Sequence, residues 1–169
     1  MHVSLRDSAF DPWAELAAYQ QERLAAGAFG ATAAFVGTMR DFNEGSAVRR
    51  LFLEHYPGMT ERELERLAGA ALETHELLDV LVIHRVGAVE PADPIVLVAA
   101  WSAHRAAAFA ACRELMEALK STAPFWKHED TDHGARWVEA RAADDDAAER
   151  WEVDPSRWVV GGNKAAKEK

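Results

Sequence analysis

The segment Glu90-Pro91-Ala92-Asp93-Pro94 divides two apolar runs, Leu78 to Val86 and Ile95 to Trp101, and constrains the fold more than any other part of the chain. Two prolines this close together forbid a regular ladder through the segment, so the runs read as two separate buried strands. Both are far shorter than the roughly 20 apolar residues of a bilayer-spanning helix, and no membrane span is expected. With 169 residues the chain is long enough for one domain with a real core. That domain is expected over residues 1–158, with 159–169 as a flexible, lysine-rich tail.

The rest of the pattern supplies helices and hairpins. His2 to Leu5 reads as a short edge strand, and Asp11-Pro12 gives an N-cap with proline at the first helical position of a helix to about Ala26. Ala31 to Met39 and Val48 to Tyr56 read as a hairpin across the polar turn Asp41 to Gly45. Thr60 and Glu63 have the spacing of a capping box ahead of Leu64, Leu67, Ala68, Ala71 and Leu72, which recur at helical spacing. A third helix is expected from Ser102, as N-cap, to about Ser121, where Pro124 prevents continuation. Phe125 to Asp130 and Arg136 to Ala140 then pair around Thr131 to Gly134. Helices and strands without regular alternation imply an α+β fold, and no glycine-rich phosphate loop opens a helix.

Composition narrows the function classes. A formal net charge of −9 argues against general nucleic-acid binding, which depends on a basic surface. Cys112 is the only cysteine, so one chain can form neither a disulfide nor a thiolate-rich metal site. Arg6-Asp7 soon after Met1 leaves no secretory signal pattern, which makes the cytoplasm the expected location.

Against this acidic background, cations placed where they are not expected stand out. His104 and Arg105 fall in the first turn of the third helix, where the dipole disfavours positive charge by about a few tenths of a kcal/mol. An anionic ligand would reverse that sign, because free helical N–H groups with two cationic side chains make a phosphate site. Solvated side chains explain the same pattern equally well. Lys120 closes the helix, a position favoured by the dipole whatever the function. Lys127 lies in the strand that follows, on the face of Phe125 and opposite Trp126 and His128, so the two lysines can converge across the turn. Flanked by aromatics, Lys127 is expected to be partly desolvated and thereby suited to nucleophilic or acid–base work. Arg40 ends a strand beside the loop and can clamp an anion, although most such arginines are merely solvated. His128, Glu129, Asp130, Asp132 and His133 match no standard ligand spacing and read as a polar turn.

Taken together, Phe35-Val36-Gly37-Thr38-Met39-Arg40, Leu53-Glu54-His55-Tyr56-Pro57-Gly58-Met59-Thr60, Ile83-His84-Arg85-Val86-Gly87, Ser102-Ala103-His104-Arg105, Leu119-Lys120 with Ala123-Pro124-Phe125-Trp126-Lys127, and Arg136-Trp137-Val138-Glu139-Ala140 resemble, in order, the large-subunit family of molybdopterin synthases. The resemblance implies an α/β-hammerhead type of α+β fold and a homodimer that binds two small ubiquitin-like sulfur carriers, giving a heterotetramer. It implies transfer of sulfur from the carrier's C-terminal thiocarboxylate to cyclic pyranopterin monophosphate, which forms the dithiolene of molybdopterin without a resident cofactor or metal. The sulfur would then come from the carrier and not from Cys112. Lys120 and Lys127 match the family's catalytic lysines, Arg40, His104 and Arg105 its substrate or anion residues, and Phe35 and Met116 the channel for the carrier's tail. Two competing readings are a non-catalytic module that docks such a carrier, which would not require the lysine pair, and a metal-dependent phosphate-ester hydrolase using His128 to His133.

Overall fold

The computed structural model describes residues 1–43, 46–132 and 134–138, and in it the two apolar runs lie side by side as antiparallel strands. They are β5 (Asp79–Arg85) and β7 (Pro94–Ser102), flanked by β1 (His2–Arg6), parallel to β5 at one edge, and β2 (Ala31–Thr38), antiparallel to β7 at the other. Successive residues of β5 and β7 point to opposite faces, and both faces are apolar because both are covered. Val80, Val82, Val98 and Ala100 pack against α2 (Met59–Thr74) and α3 (Arg105–Ser121), while Leu81, Ile83, Leu97 and Trp101 pack with Leu16 and Tyr19 of α1 (Pro12–Arg23). Trp101 is fully enclosed, and its Nε1–H donates to Gln20 Oε1 at 3.0 Å. Burying this indole therefore leaves no orphan donor.

A second sheet holds β3 (Phe42–Asn43), β4 (Ser46–His55), β8 (Phe125–Thr131) and β9 (Gly134–Val138) in that order, with β6 (Gly87–Val89) also paired to β4. Among the described residues the arrangement is α+β, three helices over mixed and antiparallel sheets.

Several local expectations are corrected. The expected hairpin of Ala31–Met39 with Val48–Tyr56 does not form. β2 pairs with β7 from Ala31↔Ser102 to Val36↔Leu97, and the ladder shifts at Gly37/Thr38. Met39 N–H then donates to Asp93 O and Ala92 N–H to Met39 O, both at 2.9 Å, which ties the strand's exit to the proline segment. β4 belongs to the other sheet because Val48, Leu51 and Leu53 share a small core with Met39 and Val89. Alternation identifies a strand but not its neighbour.

The caps also differ from the expected ones. α1 has the expected Asp11 cap, whose Oδ1 accepts from Trp13 N at 2.9 Å, but it ends at Arg23, before the expected Ala26. The second helix is capped at Gly58, which has a left-handed φ of 77°, and not by Thr60 and Glu63. Gly58 N–H donates to Glu61 Oε2 at 2.6 Å, while Thr60 is buried and Glu63 holds Arg66. Ser102 remains in β7, and the N-cap of α3 is His104, whose N–H donates to Ser102 Oγ at 3.2 Å. Replacing Glu61 with Ala is expected to remove about 1 kcal/mol and lower the melting temperature by about 2–4 °C. Thermal denaturation measures it, and an unchanged midpoint would show the bond to be silent.

The expected boundary at residue 158, the tail 159–169, His133 and the stretch from Glu139 onward lie outside the described residues.

Candidate active site

The two sheets and the C-terminal end of α3 enclose a cavity of about 370 Å³. β2 and the residues just after it contribute Phe35 and Arg40, the last turns of α3 contribute Met116 and Lys120, and β8 contributes Phe125, Lys127 and Glu129. Helix spacing explains the first pair, since Met116 and Lys120 are four residues apart and lie on one face. Strand alternation explains the β8 set: Phe125, Lys127 and Glu129 turn inward while Trp126 and His128 turn away. Five of the seven expected functional residues, Lys120, Lys127, Arg40, Phe35 and Met116, thus line one cavity.

His104 and Arg105 do not line it. They sit exposed at the N-terminal end of α3. Fifteen residues separate Arg105 from Lys120, which at helical rise is about 22 Å. One small ligand cannot touch both sets within a single chain.

Lys127 is also less enclosed than expected. Phe125 and Trp126 do not desolvate it, because Trp126 faces the opposite side of the sheet and is itself 48% exposed. Both lysines are exposed to the open cavity. With Arg40 they concentrate positive charge in a chain of net charge −9. Glu129 is the counterweight, a buried carboxylate that accepts a hydrogen bond from Asn43 Nδ2 at 2.7 Å.

His84, from β5, forms part of the cavity wall. Its ring stacks on Phe125 with centroids 4.0 Å apart and planes 12° from parallel, and its Nδ1 lies 2.7 Å from Arg85 O. Burial pushes its pKa down to about 4 and the charge of Lys127 adds to that, against the opposing hydrogen bond to Arg85 O. The imidazole is neutral at physiological pH.

The described part of that polar stretch, His128 to Asp132, does not converge. Glu129 enters the cavity, while His128 meets the edge of Trp137 on the other face, with centroids 5.1 Å apart. Among the described residues no group of three His, Cys, Asp or Glu side chains is placed to hold a metal ion.

The MoaE protein family profile matches residues 7–122, more than half of the chain. The chain belongs to the MoaE family. The molybdopterin synthase catalytic subunit of Ralstonia nicotianae is 51% identical over 151 residues, covering 89% of this chain and 84% of that protein. The molybdopterin synthase catalytic subunit of Pseudomonas aeruginosa is 49% identical over 152 residues, 90% of this chain and 99% of its own. Among solved structures, the molybdopterin biosynthesis MoaE protein of Burkholderia ambifaria matches with a TM-score of 0.73 at 45% identity, covering 90% of this chain and 98% of its own. This MoaE-family fold accounts for the ordered motifs of the sequence.

Of the other wall residues, Asn43 and His84 are not among those the sequence marks as functional, and Glu129 figures there only in the metal-cluster reading. Glu129 follows Lys127 by two, so the alternation that turns the lysine inward also predicts the carboxylate. For His84 no such signal exists, because a strand covered on both faces does not reveal which face a polar residue takes.

Proposed function

We propose that this chain is the catalytic subunit of a molybdopterin synthase working in the cytoplasm. In this reading sulfur passes, in two transfers, from the thiocarboxylated C-terminus of a small ubiquitin-like carrier subunit to cyclic pyranopterin monophosphate. The observation that carries it is the meeting of Lys120 and Lys127, from different elements, on one cavity that also holds Arg40. A surface that only docked a carrier would have no use for that pair, and the family's curated relatives are catalytic subunits. Lys120 and Lys127 stabilise the charge that develops during transfer, and Arg40 holds the substrate anion. Phe35 and Met116 give the carrier's tail an apolar passage and keep water from the thiocarboxylate. No resident cofactor takes part. Incubation with thiocarboxylated carrier and the cyclic precursor, followed by mass spectrometry of the pterin, should show two added sulfurs. Carrier binding with no sulfur in the pterin would favour the docking module.

The separation along α3 gives His104 and Arg105 a further requirement. For them to hold the same substrate, a second copy must bring its own α3 N-terminus to this cavity, in keeping with a homodimer that carries two small subunits. Arg105→Ala is then expected to weaken precursor binding while sparing carrier binding, as read by equilibrium titration of each ligand. Mixed dimers of Arg105→Ala and Lys127→Ala chains should regain turnover that neither variant has alone. Equal loss of both ligands, or no complementation, would remove these two residues from the site.

A further inference from the structure

We propose that His84 is a specificity-determining residue of the cavity, whose Nε2 accepts a hydrogen bond from a ring or amino N–H of the bound pterin. The inference rests on the sulfur-transfer reading and assigns to it the group that recognises the heterocycle rather than the phosphate. Arg85 O can only accept, so the 2.7 Å contact places the ring proton on Nδ1. A neutral ring carries one proton, which leaves Nε2 with a lone pair. Nε2 meets no donor from the described residues and is not among the sealed, unpartnered atoms, so it opens on the cavity that the residue lines. The orientation is rigid, since one face lies on Phe125 and one edge is fixed to the backbone of β5.

Two other uses of this nitrogen fail on chemistry. As a base toward Lys127 it is mismatched, because an imidazole whose pKa lies at about 4 does not take a proton from an ammonium group. As a phosphate ligand it offers a lone pair to an anion, which repels. The remaining match is a neutral donor. A reduced pterin presents amide and amine N–H groups along one edge and its phosphate at the far end. Arg40 attracts the phosphate end, and His84 receives the other. A ligand without that N–H would leave a buried acceptor unpaired, the kind of mismatch that discriminates strongly.

The experiment measures the affinity of the full-length chain, with its carrier, for cyclic pyranopterin monophosphate in His84→Phe and His84→Gln variants. Phenylalanine keeps the stack and the burial but removes the acceptor; glutamine restores an oxygen near the Nε2 position. Precursor affinity in His84→Phe is expected to fall about ten- to hundredfold, with kcat reduced less than kcat/KM and carrier affinity unchanged. His84→Gln should recover a substantial part of it. A folded His84→Phe chain with wild-type precursor affinity, or a glutamine variant no better than phenylalanine, would overturn the assignment. Should the phenylalanine variant not fold, glutamine is compared with leucine on the same scale. Wild-type turnover is the separate control: if the unaltered chain neither binds the precursor nor makes dithiolene, the sulfur-transfer reading fails, whereas wild-type turnover with indifferent variants defeats only the role of His84.

Discussion

Lys127→Ala is expected to reduce dithiolene formation by about a hundredfold to a thousandfold, the usual scale for losing one preorganised charge-stabilising group. The fold and carrier affinity should stay near wild type. Lys127 faces an open cavity and is exposed, so its truncation creates no void in the core. On the proposed mechanism its contribution is made in the transition state, and kcat should therefore fall more than substrate affinity. Lys120→Ala should behave alike, with an added stability loss of about 0.3–1 kcal/mol because a cation leaves the negative end of α3. The two losses should not add: groups serving one reacting centre act as a unit, so the double variant should resemble the worse single one. Single-turnover kinetics with thiocarboxylated carrier, beside circular dichroism, measures all three. Near-normal turnover in a folded Lys127→Ala chain would remove that lysine from the chemistry.

The legible parts of this molecule are those written in local spacing. β5 and β7 show as apolar runs, α3 as a helical stripe ended by Pro124, and the β8–β9 hairpin as two strands around a glycine-containing turn. Alternation along β8 puts Lys127 and Phe125 on one face, which the cavity bears out. Pairing is what local spacing does not encode. β2 and β4 have the patterns of hairpin strands, yet they join different sheets because Val48, Leu51 and Leu53 find their apolar partners in Met39 and Val89 rather than in β2. Cap chemistry misleads for a related reason: Thr60 has an N-cap side chain, but the tertiary fold buries it and leaves the cap to Gly58 and Glu61. The site is half legible. Lys120, Lys127 and Arg40 stand out as cations at element ends and on an inward strand face. The gap of about 22 Å that keeps Arg105 from Lys120 is equally a matter of spacing, because it follows from helix rise alone.

Shortening the carrier's C-terminal tail by one residue should bring sulfur transfer below detection while leaving carrier affinity within about tenfold, since most binding energy resides in a few anchors of the surrounding surface. The geometry sets this expectation. The two lysines line the cavity, and on the proposed reading the reacting carbonyl reaches them at the end of an extended tail that passes Phe35 and Met116. Each extended residue spans about 3.3–3.6 Å, and a productive approach needs reacting atoms about 3–3.5 Å apart. Removing one residue therefore withdraws the carbonyl by roughly the whole of that approach distance, when an error of about 1 Å already costs on the order of a hundredfold. Adding one glycine is the complementary test, with a smaller loss expected, since a longer tail can buckle and a shorter one cannot stretch. Titration of shortened, native and lengthened carriers against this chain, with turnover measured on the same samples, separates docking from delivery. Full turnover by the shortened carrier would place the transfer outside the cavity, and a parallel loss of affinity would mean that the tail holds the complex together instead of only carrying the sulfur.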